Sequence, residues 1–285
     1  MKSVLKGLFI LLALTVFHAC SESEESAGGM GRLNVYLSDA PFPYAWIDQA
    51  NLTVYKVEAR RADAAETDSS DTSRSGSPFV VLMEEEISVN LLELTGGVTE
   101  QLASAEIPAG DYDLVRIYVK DASVVLQDST VFDLKVPSGM QSGIKVFIKP
   151  ALRVASSLST DVLLDVDVSR SFVAKGGPNP KGFNFKPVIR AANLTTSGTL
   201  QGMVTTVDST GAVLPLEGAK LSVMASDSVY ASTFSDAEGA YAILGLEEGS
   251  FSVTASLEGY QDATQEGVVV VAGNRTTQDF QLEVQ

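Results

Sequence analysis

Three sets of residues in this sequence carry chemistry by type and spacing. The first is a group of acids in STDVLLDVDV, where period-2 geometry puts Asp165 and Asp167 on one strand face with Asp161 four residues before. Two carboxylates about 5–9 Å apart are the equipment of glycoside hydrolysis. Alternating acids are also the ordinary solvated face of a half-buried sheet. These acids, or Asp39 close to Pro41, offer oxygens to calcium, but the chain has no Asp-x-Asp-x-Asp-Gly loop and defines no ligand set. The second set is Phe42, Tyr44 and Trp46 in Pro41-Phe-Pro-Tyr-Ala-Trp46, alternate positions that point one way in an extended segment. Such a face stacks on sugar rings or anchors a protein partner, or else it closes one end of a sandwich as a hydrophobic plug. The third is Cys20, the only cysteine, with His18, the only histidine.

The setting of Cys20 decides what that thiol does. Lys2 and Lys6 precede an uncharged apolar run from Gly7 to Phe17. At ~1.5 Å per residue this run reaches about half of a ~30 Å hydrocarbon core, which suits a signal peptide and not a membrane span. Phe17-His18-Ala19-Cys20 resembles the lipobox of bacterial lipoproteins. The resemblance implies a signal peptide at residues 1–19 and acyl chains on Cys20, so that a lipid bilayer is the first partner. Acyl burial at ~0.8 kcal/mol per methylene makes such an anchor effectively permanent. The alternative is an ordinary secreted chain cut nearby, which leaves a free thiol. The Ser-Glu-Ser-Glu-Glu-Ser stretch that follows, within an acidic tether at 20–30, resembles the surface-export signal of lipoproteins from Bacteroidetes-type bacteria. It reads equally as a solvated linker.

Several functions fall away on this reading. Cleavage before Cys20 removes His18, so histidine-based triads and histidine zinc sites are excluded. No glycine-rich phosphate loop is present, and no cofactor or metal is expected. A formal net charge of −16 makes nucleic acid a poor partner.

The elements that must position these residues are strands. Leu33, Val35 and Leu37 alternate with polar neighbours, and Leu52, Val54 and Val57 open a second strand that is expected to end at Glu58. Residues 58–77 lack an apolar period and read as an exposed loop. Further strands are expected at 79–82, 112–119, 122–127, 130–136, 143–149, 161–168 and 183–190, with one helical turn within 89–94 and a long hairpin loop at 174–182. A boundary near 193–198 precedes strands at 199–207, 219–225, 229–235, 240–244, 250–257, 267–271 and 276–283.

The C-terminal run, with Gly198-Thr-Leu-Gln-Gly-Met-Val, Ser235-Asp-Ala-Glu-Gly-Ala-Tyr241, Gly249-Ser-Phe-Ser-Val, Glu258-Gly-Tyr260 and Asp279-Phe-Gln-Leu282, resembles the carboxypeptidase regulatory-like domain. That resemblance implies a prealbumin-type sandwich without catalytic residues, serving as spacer, stabiliser or occasional glycan binder. Gly31-Arg-Leu-Asn-Val-Tyr-Leu-Ser-Asp-Ala-Pro41, Val89-Asn-Leu-Leu92, Ile107-Pro-Ala-Gly-Asp-Tyr-Asp-Leu and Phe183-Asn-Phe-Lys-Pro-Val-Ile-Arg190 resemble a bacterial family of unknown function, numbered 4382. Asp128-Ser-Thr130, Asp208-Ser-Thr210 and Asp227-Ser-Val229 resemble an O-glycosylation pattern of Bacteroidetes-type bacteria, one short enough to arise by chance.

The expectation is therefore an all-β chain with two tandem β-sandwich domains, at 31–195 and 196–285, after a lipoprotein signal peptide. Its function is expected to be display of a binding or structural surface in the cell envelope, on the outer membrane and facing outward. Cys20 is the lipidated residue; Phe42, Tyr44 and Trp46, with the loops 58–77 and 174–182, are the candidate ligand surface. Alternatives are a carbohydrate-binding module, a component with fixed envelope protein partners, and a carboxylate hydrolase.

Overall fold

A computed structural model describes residues 29–40, 46–64, 77–94, 96–136, 141–176, 180–225 and 228–285. Cys20, Phe42, Tyr44 and most of the 58–77 loop lie outside the described residues. The first part of the chain contains β1 (Met30–Ala40), β2 (Ile47–Arg61), β3 (Phe79–Met83), β4 (Ile87–Asn90), β5 (Glu100–Pro108), β6 (Gly110–Leu126), β7 (Val131–Leu134), β8 (Ile144–Val154) and β9 (Ser159–Asp167). A one-turn helix α1 (Val168–Ser171), β10 (Phe172–Ala174), β11 (Phe183–Phe185) and β12 (Ile189–Asn193) follow.

Four strands form one sheet in the order β12-β9-β1-β5, with β1 and β9 parallel. Six form the other, built on β3-β2-β6-β7 with β4 beside β2 and β8 beside β6. Alternation puts Leu33, Val35, Val162, Leu164 and Val166 on the inner face of the first sheet, against Leu52, Val54, Val57, Val115, Ile117 and Val119 of the second. Burial of each such side chain contributes ~1.5–3 kcal/mol, so this shared core holds the sandwich without any disulfide.

The second part comprises β13 (Ser197–Val207), β14 (Val213–Pro215), β15 (Lys220–Ala225), β16 (Ser228–Phe234), β17 (Ala240–Glu247), β18 (Gly249–Ser256), β19 (Ala263–Val270), β20 (Arg275–Thr277) and β21 (Phe280–Gln281). One sheet runs β14-β13-β17 with β20 and β21 also on β13; the other runs β16-β15-β18-β19. Their core contains Leu200, Val204, Leu221, Val223, Ile243 and Val253. Gly202 of β13 is needed because a Cβ there would overlap the Gln278 carbonyl of the chain passing alongside. Asp236 closes the β16–β17 turn by accepting from the backbone N–H groups of Glu238 (3.1 Å) and Ala240 (2.8 Å), with Gly239 at φ +78°.

Four expectations are corrected. β2 does not end at Glu58 but continues through Arg61, because Glu58 is buried with partners: Lys56 Nζ at 2.8 Å, the Tyr118 hydroxyl donating at 2.8 Å, and Arg116 at 3.8 Å under the Phe79 ring. The strands expected at 112–119 and 122–127 are one, β6, and the apparent turn between them is a β-bulge at Lys120 opposite Thr53 and Val54. β5 was not expected, since a register shift opposite Val35 and Tyr36 puts Leu102 and Ala103 both inside and breaks the alternation. The 183–190 strand is two, with β11 closing a hairpin on β10 and β12 joining β9.

The Glu58 cluster makes a stability prediction. Glu58→Ala leaves Arg116 without its carboxylate and Lys56 with only the exposed Glu84 at 3.7 Å, and it is expected to cost about 3 kcal/mol in denaturant unfolding. Glu106→Ala, which breaks an exposed pair with Arg32, is expected to cost under about 1 kcal/mol.

Candidate functional site

The three acids share one face of β9, as their spacing requires, but each has its own partner. Asp161 accepts from the Asn34 side-chain amide at 2.7 Å. Asp167 caps α1, accepting from the Ser169 hydroxyl at 2.7 Å and the Arg170 backbone N–H at 2.9 Å. Asp165 pairs with Arg190 at 2.9 Å, directly across the β9–β12 ladder. Leu163, on the same outer face, is fully buried.

What covers that face is the second sandwich. A Cβ built on Gly245 of β17 would lie 3.3 Å from Leu163 Cδ2 and closer still to Ala192 Cβ, so the glycine is required by contact. From β12, the Arg190 guanidinium donates to the Gly245 carbonyl at 2.6 Å and the Leu244 carbonyl at 3.1 Å. It also lies 5.1 Å from the Tyr230 ring of β16. The acids that the sequence offers for catalysis are thus occupied in the sheet and in the joint between the sandwiches. Sequence reading finds Asp165 but not Arg190, whose partners come from β9 and from β17.

The joint leaves openings of different size. One of about 220 Å³ is bounded by Lys149 and Pro150 at β8, Ala191–Asn193 of β12, Thr196 and Ser197, and Tyr230, Gly245 and Glu247 of the second sandwich. A smaller one of about 100 Å³ lies beside Asp165, Asp167, Arg170 and Arg190, and Tyr230 lines it too.

Trp46, the described member of the aromatic candidates, is partly buried. Its ring sits 6.1 Å from Phe183, which meets Phe132 at 5.6 Å, so Trp46 extends the first core at one end. The hairpin over 174–182 is tied at its base by Lys175 N–H to the Gly182 carbonyl at 2.8 Å, with residues 177–179 outside the described set. Among the described residues no three acids, cysteines or histidines cluster to hold a metal ion, and no helix is long and apolar enough to cross a membrane.

Two of the Asp-Ser-Thr motifs form exposed hairpin turns, while Asp227 lies outside the described residues. Asp208 accepts from the Thr210 hydroxyl at 2.6 Å and from the Thr210 and Ala212 N–H groups, and these bonds hold its carboxyl below the usual range. Asp128 is lowered for the same reason by Thr130.

Two tandem β-sandwiches, joined by the bonds of Arg190 and by the packing of Gly245 on Leu163 and Ala192, define the chain as an all-β, two-domain protein. It belongs to the family described as a domain of unknown function (DUF4382), matched over residues 30–187, more than half of the chain. Residues 199–283 match the carboxypeptidase regulatory-like domain. No curated relative matches the chain. Among solved structures, the minor pilin GBS52 of Streptococcus agalactiae is 11% identical over 88% of this chain and 96% of its own, with a TM-score of 0.26. The major pilin BcpA of Bacillus cereus is 10% identical over 90% of this chain and 71% of its own, at 0.25. A Pseudomonas aeruginosa protein described as a candidate carbohydrate binder is 11% identical over 32% of this chain and 91% of its own, at 0.24. Scores this low carry no functional argument.

Two predictions follow from these contacts. Arg190→Ala is expected to cost about 2–3 kcal/mol and to speed cleavage by thermolysin near Thr195, whereas Asp165→Asn, which keeps the carbonyl bonds, costs less. In NMR titration, Asp208 is expected to have a midpoint below that of an ordinary aspartate and to move upward in Thr210→Ala. Its folded pKa is lowered, so its stabilisation is present above the ordinary aspartate range and is lost as pH falls through that lowered value.

Proposed function

We propose that this protein is a non-enzymatic, lipid-anchored component of the cell envelope that displays its two sandwiches as one unit. The observation that carries the reading is the Arg190 joint: the acids on the β9 face are occupied by structural partners, and the face is covered by the second sandwich. A chain built this way transmits position from its anchor to its far end, which is what a spacer or presenting module does. The lipobox at Cys20 supplies the anchor, and the acidic stretch behind it supplies reach. The membership of residues 199–283 in a regulatory-like, non-catalytic family supports the same reading.

Protease shaving of intact cells tests it, with Cys20→Ala as control and a mass readout of the N-terminus. The expected outcome is an acylated wild-type terminus, both sandwiches digested from whole cells, and release of Cys20→Ala from the membrane fraction. An unmodified Cys20 would remove the anchor from the account, and resistance to shaving until the envelope is broken would remove the outward display.

A further inference from the structure

The larger opening at the domain joint has the makings of a binding site that neither family assignment provides. Its walls come from β8 and β12 of the first sandwich, from the connecting residues Thr196 and Ser197, and from β16 and β17 of the second. It therefore exists only while the two sandwiches are docked, and clefts between domains are favoured places for ligands. Tyr230 forms one wall and is held in place by Phe251, with ring centroids 5.7 Å apart, and by Arg190.

The polar groups around this opening are unevenly used. The Ser197 hydroxyl has no hydrogen-bond partner among the described residues, but it is buried beneath the surface of the opening, whereas the Thr196 hydroxyl and the Asn193 amide belong to residues on its rim. Glu247, the neighbour of Ser197 across the strand pair, and Lys149 on the opposite wall are exposed, and neither forms an ion pair among the described residues. One acid and one base cancel in charge, so the opening favours a neutral guest that offers several hydroxyls. An aromatic wall beside amide, hydroxyl and charged donors and acceptors is the chemistry that holds a sugar ring. A volume of about 220 Å³ falls below the roughly 300–1,000 Å³ of sites for drug-sized ligands, which limits the guest to a single ring or the end of a chain.

We propose that the interdomain cleft of Tyr230, Asn193, Thr196, Lys149 and Glu247 binds one neutral pyranose unit, such as the terminal residue of a glycan. This rests on the reading of the protein as a non-enzymatic envelope component that displays its two sandwiches as one unit, and it puts the ligand surface at the joint and not at the Phe42–Trp46 segment. Occupancy would bridge both sandwiches, so a bound sugar and a docked joint stabilise each other.

Saturation-transfer NMR on the full-length protein tests this, in micelles of a detergent without a sugar headgroup. The probes are the methyl glycosides of glucose, galactose, mannose and N-acetylglucosamine. The expected result is saturable binding of at least one glycoside in the millimolar range that suits a single ring. Thr196→Trp, an exposed position whose new side chain fills the opening, is expected to weaken it about tenfold or more. Binding by none of the four probes overturns the cleft proposal and leaves the envelope-display reading to the shaving experiment. Binding that survives Thr196→Trp but is lost in Trp46→Ala overturns it in favour of the aromatic segment, with the envelope-display reading intact.

Discussion

The bond set of Arg190 is the interaction on which the arrangement of this molecule depends. One guanidinium joins Asp165 of its own sheet to the carbonyls of Leu244 and Gly245 in the other sandwich. Those carbonyls are available for a physical reason. The pairing of β13 with β17 shifts register between Gly198 and Leu200, so Leu244 and Gly245 have no ladder partner opposite them. A buried carbonyl without a donor is costly, and Arg190 supplies two donors to adjacent ones. A lysine has donors enough but carries them on one nitrogen, without the rigid planar fork that spans two adjacent carbonyls and a carboxylate at once. Asp165 in turn keeps the cation from being buried alone.

The rest of the joint is fitted to that reach. Gly245 adopts a φ of +67° and has no side chain, which lets β17 approach Ala192 and Leu163 closely. Leu163 belongs to neither hydrophobic core, yet it is fully buried. The connection between β12 and β13 is only Leu194–Thr196, so the two sandwiches cannot drift far apart even where the joint is weakened.

The sequence made much of this legible and hid the rest for specific reasons. Strands such as β1 and β9 announce themselves because one face is buried and the other is not. β5 is concealed by the bulge at Leu102, and the end of β2 by charges that are compensated from β6 and not by solvent. The acids of β9 could be placed on one face from spacing alone. Their partners could not, because Arg190 is brought opposite Asp165 by a register set in tertiary contact, and the Leu244 and Gly245 carbonyls are freed by an irregularity in a different sheet. Trp46 was visible as the chain's one tryptophan, but its packing against Phe183 depends on the β10–β11 hairpin.

The claim that the two sandwiches act as one body is tested most directly by electron–electron distance measurement across the joint. With Cys20, the chain's only cysteine, replaced by alanine, spin labels can be placed through Val131→Cys in the first sandwich and Val213→Cys in the second, both at exposed positions. The account predicts one narrow distance distribution in the otherwise wild-type protein, broadened when Arg190→Ala is added. A broad distribution with Arg190 intact, or one that Arg190→Ala leaves unchanged, would contradict it.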